Sequence, residues 1–129
     1  MIVVDSSVWI AHLRNADTPQ VRQLRTISRK RNIVVGDLVL LEVLQGARGE
    51  RHAKQIEDAL RQFTPVQMMS ASLPAEAASI YRILRADGIT IRKTVDLIIA
   101  TFCLLGGHHL LHSDRDFTPI VERFGLRLA

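Results

Sequence analysis

Short apolar runs alternate with longer amphipathic segments along this chain. Residues 1–4 form a continuous, β-branched-rich run, and comparable runs or fragments recur at 33–35, 66–69, 109–111 and 126–128. Unbroken runs of this length predict strands buried on both faces, as in a parallel sheet. Between them, residues 8–13, 21–28, 38–47, 52–63, 75–86 and 95–105 carry apolar positions at helical spacing. Pro19 and Pro74 stand in or just before first turns, and Gly46, Gly88, Gly106 and Gly107 lie near helix ends, which agrees with those boundaries. The alternation predicts an α/β fold: a three-layer α/β/α sandwich with a mostly parallel central sheet.

A chain of 129 residues suits one domain, taken here as residues 1–129. Hydrophobic residues make up 47% and charged residues 23%, which excludes a disordered tail and implies a packed interior. No apolar run reaches the roughly 20 residues that span a bilayer. Asp5 interrupts the N-terminal run too early for a secretory signal, so the expected location is the cytoplasm. Cys103, the sole cysteine, falls in the apolar stretch 97–105 and is expected to be a buried small hydrophobe. The net charge of +4 leans toward a polyanionic partner. Arg22, Arg25 and Arg29 recur at helical spacing, either as a phosphate-gripping stripe or as an ordinary solvated face.

In open parallel sheets the binding crevice lies beyond the carboxyl ends of the strands, where the topology reverses. Asp5 directly follows the first run, and Asp114 follows the run containing Leu110 and Leu111. A helix that returns to a parallel strand starts at this same edge, which puts Asp96 in the first turn of the helix beginning near Thr94. Glu42 lies about one turn into the helix that begins near Asp37. Four carboxylates distant in sequence are therefore expected to converge.

Each acid has a plainer explanation. Asp5 is a good N-cap for the helix that follows, Asp96 is favoured by the macrodipole behind a Thr94 cap, and Asp114 and Asp116 suit a loop and a cap. Glu42 interrupts Leu38-Val39-Leu40-Leu41 and Val43-Leu44, so it needs a cation, strong hydrogen bonds or a path to solvent. All four explanations must hold together to dismiss the cluster. Two like charges about 4 Å apart repel by roughly 4 kcal/mol at an effective dielectric near 20. A converged set must therefore take up protons or a hard divalent cation, and an all-oxygen donor set favours Mg²⁺ or Mn²⁺ over zinc.

These residues also carry a resemblance. Ile2-Val3-Val4-Asp5-Ser6-Ser7-Val8-Trp9-Ile10, Leu41-Glu42-Val43-Leu44-Gln45-Gly46, Thr94-Val95-Asp96-Leu97-Ile98-Ile99-Ala100 and Ser113-Asp114-Arg115-Asp116-Phe117 resemble, in order and spacing, the four acidic motifs of the PIN-domain ribonucleases, specifically the VapC-type toxins of toxin–antitoxin pairs. Ser6 and Ser113 stand where that family commonly has threonine. The resemblance implies a Mg²⁺-dependent endoribonuclease, with Mn²⁺ as a substitute, that leaves a 5′-phosphate and a 3′-hydroxyl. In it Asp5 and Asp96 are the principal metal ligands, Asp114 completes the cage, Glu42 orients or deprotonates the attacking water, and Asp116 is marginal. Ser6, Ser7, Thr94 and Ser113 would hold the carboxylates by hydrogen bonds, and Arg92 and Lys93 would hold the RNA backbone. It also implies a homodimer and a VapB-type antitoxin that blocks the acidic pocket. The surplus of apolar residues at Leu38, Leu40, Leu41 and Leu44 suits either a partner or a two-sided helix within the core.

His12, His52, His108, His109 and His112 fit no zinc-finger spacing, and His112 lies nearest the acids in sequence. Two other classes stay open. One is an Asp-dependent phosphoryl-transfer enzyme, against which Ser7 stands where a second Asp is usual; the other is a catalytically inert RNA- or protein-binding scaffold.

Overall fold

A computed structural model describes residues 1–27 and 29–129. Four parallel strands form the sheet: β1 (Ile2–Val4), β2 (Ile33–Gly36), β3 (Thr64–Val66) and β4 (His109–Leu111), in the order β3-β2-β1-β4. Among the described residues the helices are α1 (Ser6–Leu13), α2 (Pro19–Thr26), α3 (Asp37–Gln45), α4 (Glu50–Leu60), α5 (Leu73–Ala86), α6 (Thr94–Gly106) and α7 (Thr118–Phe124), with short 3-10 turns at Lys30–Asn32 and Arg115–Phe117. All four residues of β2 are buried, as are Val3 and Val4 of β1. Strands buried on both faces need helices above and below, which gives the expected α/β/α sandwich.

Register fixes where the chain can open. Val3 pairs with Val34 on one side and with Leu110 on the other. The chain runs outward from β1 to β2 and β3, then returns to place β4 against the other side of β1. The reversal therefore lies between β1 and β4, and residues just beyond Val4 and Leu111 border its crevice.

The third strand differs from the predicted 66–69 run: it is Thr64–Val66, with Pro65 in an edge position that tolerates the missing donor. Met68 leaves the ladder because its backbone N–H donates to Asp37 Oδ1 at 3.2 Å, and its side chain is fully buried. A Cβ on Gly36 would strike that thioether, so the glycine lets Met68 pack over the end of β2. The predicted fifth strand, 126–128, contracts to one parallel bridge between Leu110 and Leu128. Helix α7, with Pro119 in its first turn and Ile120 buried, was not expected; its apolar set Ile120, Val121 and Phe124 is short and follows a loop-like stretch.

Helix α2 ends at Thr26; Ser28, in the predicted 21–28 segment, lies outside the described residues. Of the two readings of Arg22, Arg25 and Arg29, the ordinary solvated face fits better than a phosphate-gripping stripe. Arg29 falls beyond the helix, and Arg22 pairs with Asp17 at 2.6 Å. Cys103 is buried, and burial pushes its thiol up to about 12. On α3, Val39 and Val43 are buried while Leu41 is half exposed, so this helix has apolar residues both inside and outside the core.

Candidate metal centre

The loop after β1 does two jobs with one side chain. Asp5 continues the ladder, its N–H donating to the Leu111 carbonyl at 2.9 Å, and then caps α1. Its Oδ2 accepts from the Ser7 backbone N–H at 3.1 Å and from the Ser7 hydroxyl. The capping explanation is thus correct for Oδ2 and leaves Oδ1 unexplained, because Oδ1 is buried without a hydrogen-bond partner.

Asp96 occupies the first turn of α6 and is 3% exposed. Lys93, not Thr94, is the N-cap residue, and it makes no side-chain cap bond. Asp96 Oδ2 is the second orphaned carboxylate oxygen. Glu42, half-buried on α3, accepts from the Ser6 hydroxyl through Oε1 at 3.0 Å. Asp114 stands at the mouth of the 3-10 turn after β4, where Oδ1 accepts from the Asp116 N–H at 2.9 Å and Oδ2 lies 3.9 Å from Lys93 Nζ.

The four expected acids meet. Asp5, Glu42 and Asp96 each present a carboxylate oxygen within 4.8 Å of the others, and Asp96, Asp114 and Asp116 form a second such group. Asp96 belongs to both, and Asp116 stands closer to the centre than its sequence position suggested. Burial raises the carboxyls of Asp5 and Glu42, against which the Ser7 and Ser6 hydrogen bonds work. Asp96 is pushed up to about 7, first by burial and then by the charges of Asp5 and Asp114.

Serines support the cluster differently from expectation. Ser6 serves Glu42, while the Ser7 hydroxyl also accepts from the Ser113 backbone N–H at 3.2 Å, fastening the loop after β4 to the loop after β1. The hydroxyls of Thr94 and Ser113 make no hydrogen bond to an acid among the described residues. No sequence signal marks Ser7 as the fastener, because its partners lie on both sides of the strand reversal. His112 accepts the Asp114 N–H at Nδ1 and packs on Phe117 with ring centroids 4.8 Å apart, and burial lowers its imidazole. It is a neutral support for the loop.

A hard divalent cation suits this arrangement: the donors are all carboxylate oxygens, and two of them are buried acceptors with nothing to accept from. Ser7→Ala is expected to weaken Mn²⁺ binding by about 10- to 100-fold, since Asp5 loses its hydroxyl donor and the two loops lose their link. A Mn²⁺ titration of the purified variant checks this, and unaltered affinity would show that the Ser7 hydroxyl does no more than support the Asp5 helix cap.

Comparison with known proteins agrees with this geometry. The chain is 28% identical over 132 residues to ribonuclease VapC11 of Mycobacterium tuberculosis, covering 100% of this chain and 98% of that one. Its fold superposes with a TM-score of 0.75 on VapBC2 from Rickettsia felis bound to a promoter DNA fragment, at 19% identity, covering 100% of this chain and 98% of that one. It superposes with a TM-score of 0.70 on VapC20 of Mycobacterium tuberculosis, described as a sarcin-ricin loop cleaving toxin, at 20% identity over 93% of this chain and 95% of that one. The PIN domain profile matches residues 2–121, a span that carries every acid of the cluster. With nearly its whole length matched, the chain belongs to the PIN domain family.

Proposed function

We propose that the chain is a metal-dependent endoribonuclease of the VapC toxin type, with its centre built from Asp5, Glu42, Asp96 and Asp114. One observation carries this reading. Asp5 Oδ1 and Asp96 Oδ2, far apart in the sequence, are both buried and unpartnered within one carboxylate cluster. A fold-stabilising role would give those oxygens donors.

Asp5 and Asp96 are the principal ligands, and Asp114 completes the cage. Mg²⁺ is the expected ion, and Mn²⁺ can replace it. When bound, the ion supplies Lewis-acid polarisation of a phosphoryl oxygen and a lowered pKa for a water. Glu42 has Oε1 held by Ser6, which leaves its other oxygen to orient the attacking water and take its proton. Water oxygen bonds to phosphorus as the bond to the 3′ oxygen breaks, and the departing oxygen takes a proton from solvent, giving a 5′-phosphate and a 3′-hydroxyl. Burial raises the Glu42 carboxyl, which makes it a better base than an exposed glutamate.

The reading brings partners with it. Structures of similar fold include complexes named VapBC, which supports a VapB-type antitoxin covering the acidic pocket. Homodimerisation is supported by α3, where Leu41 is half exposed beside half-buried Leu38, Leu40 and Leu44. Among the described residues no helix is long and apolar enough to cross a membrane. The expected site of action is the cytoplasm.

The test uses protein freed of antitoxin. Cellular RNA is expected to be cut with Mg²⁺ or Mn²⁺ and left intact in EDTA, with 5′-end mapping giving the cleavage positions. Equal cutting by Asp5→Asn, or no metal-dependent cutting of any cellular RNA, would leave an inert scaffold as the better description.

A further inference from the structure

Beside the carboxylates opens a cavity of about 640 Å³, whose lining includes Arg92, Lys93 and Arg115 as well as Asp114. Lys93 alone of these cations reaches an acid, with Nζ 3.9 Å from Asp114 Oδ2; neither arginine is ion-paired among the described residues. That contact is long, and the Lys93 side chain is 59% exposed, so water competes for it and little is lost in breaking it. Asp114 keeps its other oxygen on the Asp116 N–H, so it stays in place when Lys93 leaves.

Lys93 also bears on the rest of the cluster. Its charge works against burial at Asp96 and at Glu42. Without a divalent ion, Lys93 is the cation that partly offsets the charge of Asp114, Asp96 and Glu42. With one, the ammonium and the ion are like charges contending for Asp114 Oδ2, and the mobile, solvated partner gives way.

Resting on the nuclease reading, we infer that Lys93 is an exchangeable counter-ion: Asp114 holds it while the metal site is empty, and a bound divalent ion frees it to grip an RNA phosphate beside Arg92 and Arg115. It is a positioning residue that couples loading of the acids to retention of the substrate strand. The two arginines, already unpaired, offer the neighbouring phosphate contacts.

Two measurements separate this from a general field effect. In Mn²⁺ titrations without RNA, followed by the spin resonance of the free ion, Lys93→Met is expected to bind about 3- to 10-fold tighter than the parent. Lys93→Arg and Arg92→Met should stay within about twofold of the parent, because the first keeps the charge and the second removes a cation that is ion-paired with none of the acids among the described residues. In Mn²⁺, a fluorescein-labelled 12-residue oligouridylate, shown intact on a gel, should bind several-fold more weakly to both Lys93→Met and Arg92→Met. Each of these should lower the salt slope of binding by about 0.7, the value for one phosphate contact on a single strand. Unchanged or weaker Mn²⁺ affinity in Lys93→Met, equal tightening in Arg92→Met, or oligouridylate binding indifferent to Lys93 would each overturn the inference. A parent that shows these binding effects and yet cuts no cellular RNA would overturn the nuclease reading and leave the exchange standing; a parent that binds no Mn²⁺ would overturn both.

Discussion

Asp96→Asn is expected to reduce RNA cleavage by about a thousandfold or more, roughly 4 kcal/mol of transition-state stabilisation, and at the same time to make the metal-free protein more resistant to heat at pH 8. The first effect follows from position: Asp96 belongs to both groups of carboxylate oxygens, so its loss damages every way of holding an ion there. It should exceed the roughly 10- to 100-fold cost of losing an outer hydrogen-bond partner such as the Ser7 hydroxyl. The second effect follows from electrostatics. At pH 8 the Asp96 carboxyl, pushed up to about 7, is ionised beside Asp5 and Asp114 in a buried setting, and a neutral amide of similar shape removes that repulsion. A rise of roughly 4 °C corresponds to about 1 kcal/mol for a chain of this size. Cleavage assays and melting curves in EDTA on the same preparation check both parts. A variant that unfolds would show that Asp96 serves the helix N-terminus and not an ion.

Metal-free protein should lose stability as pH rises from 6.5 to 8, and Mn²⁺ should restore it. Around pH 4 to 7 the folded chain keeps a proton on Asp96 that the unfolded chain has released, so folding weakens as pH climbs through the raised value. Asp5 and Glu42, also raised, act in the same direction. The lowered imidazoles of His12, His108 and His112 act oppositely below pH 6.5, where the unfolded chain binds the extra protons. The difference between the parent and Asp96→Asn, which share these imidazoles, isolates the carboxylate part. The Asp96 part of the loss is expected to be about 1 kcal/mol, and saturating Mn²⁺ should offset it through mass action, by about 2.7 kcal/mol at a hundred times its dissociation constant. Melting temperatures in EDTA and in Mn²⁺ across this range test the sign. Stability that stays flat or rises in EDTA would mean that the acids are spaced too widely to repel.

The sequence reveals most about the parts of the molecule set by short-range rules. The first strand and the acid behind it were legible because an apolar run followed by Asp-Ser-Ser admits few alternatives, and the crevice rule then placed Asp96 and Asp114 at the same edge. Where a side chain answers to distant backbone, the reading slipped. Met68 looked like strand, but Asp37, 31 residues earlier, takes its N–H and pulls the chain out of the ladder. Ser7 looked like a supporter of Asp5, and its second partner, the Ser113 N–H 106 residues away, could not be seen before the strand order was known. Thr94 had the composition of a cap, yet the helix began one residue earlier with Lys93 as its cap, and that lysine lies 3.9 Å from Asp114. Arg29 had the right spacing for a stripe whose helix had already ended.

Residues 126–129 shape how the molecule meets its neighbours. Leu110 donates to the Arg127 carbonyl and accepts from the Ala129 N–H, both at 2.9 Å, so the last residues stitch over the outer margin of β4. A parallel sheet with a bare margin invites a stranger's backbone to add on. Residues 127–129 thus work as a selvedge along β4, and removing them would leave Leu110 open to whichever extended peptide arrives first.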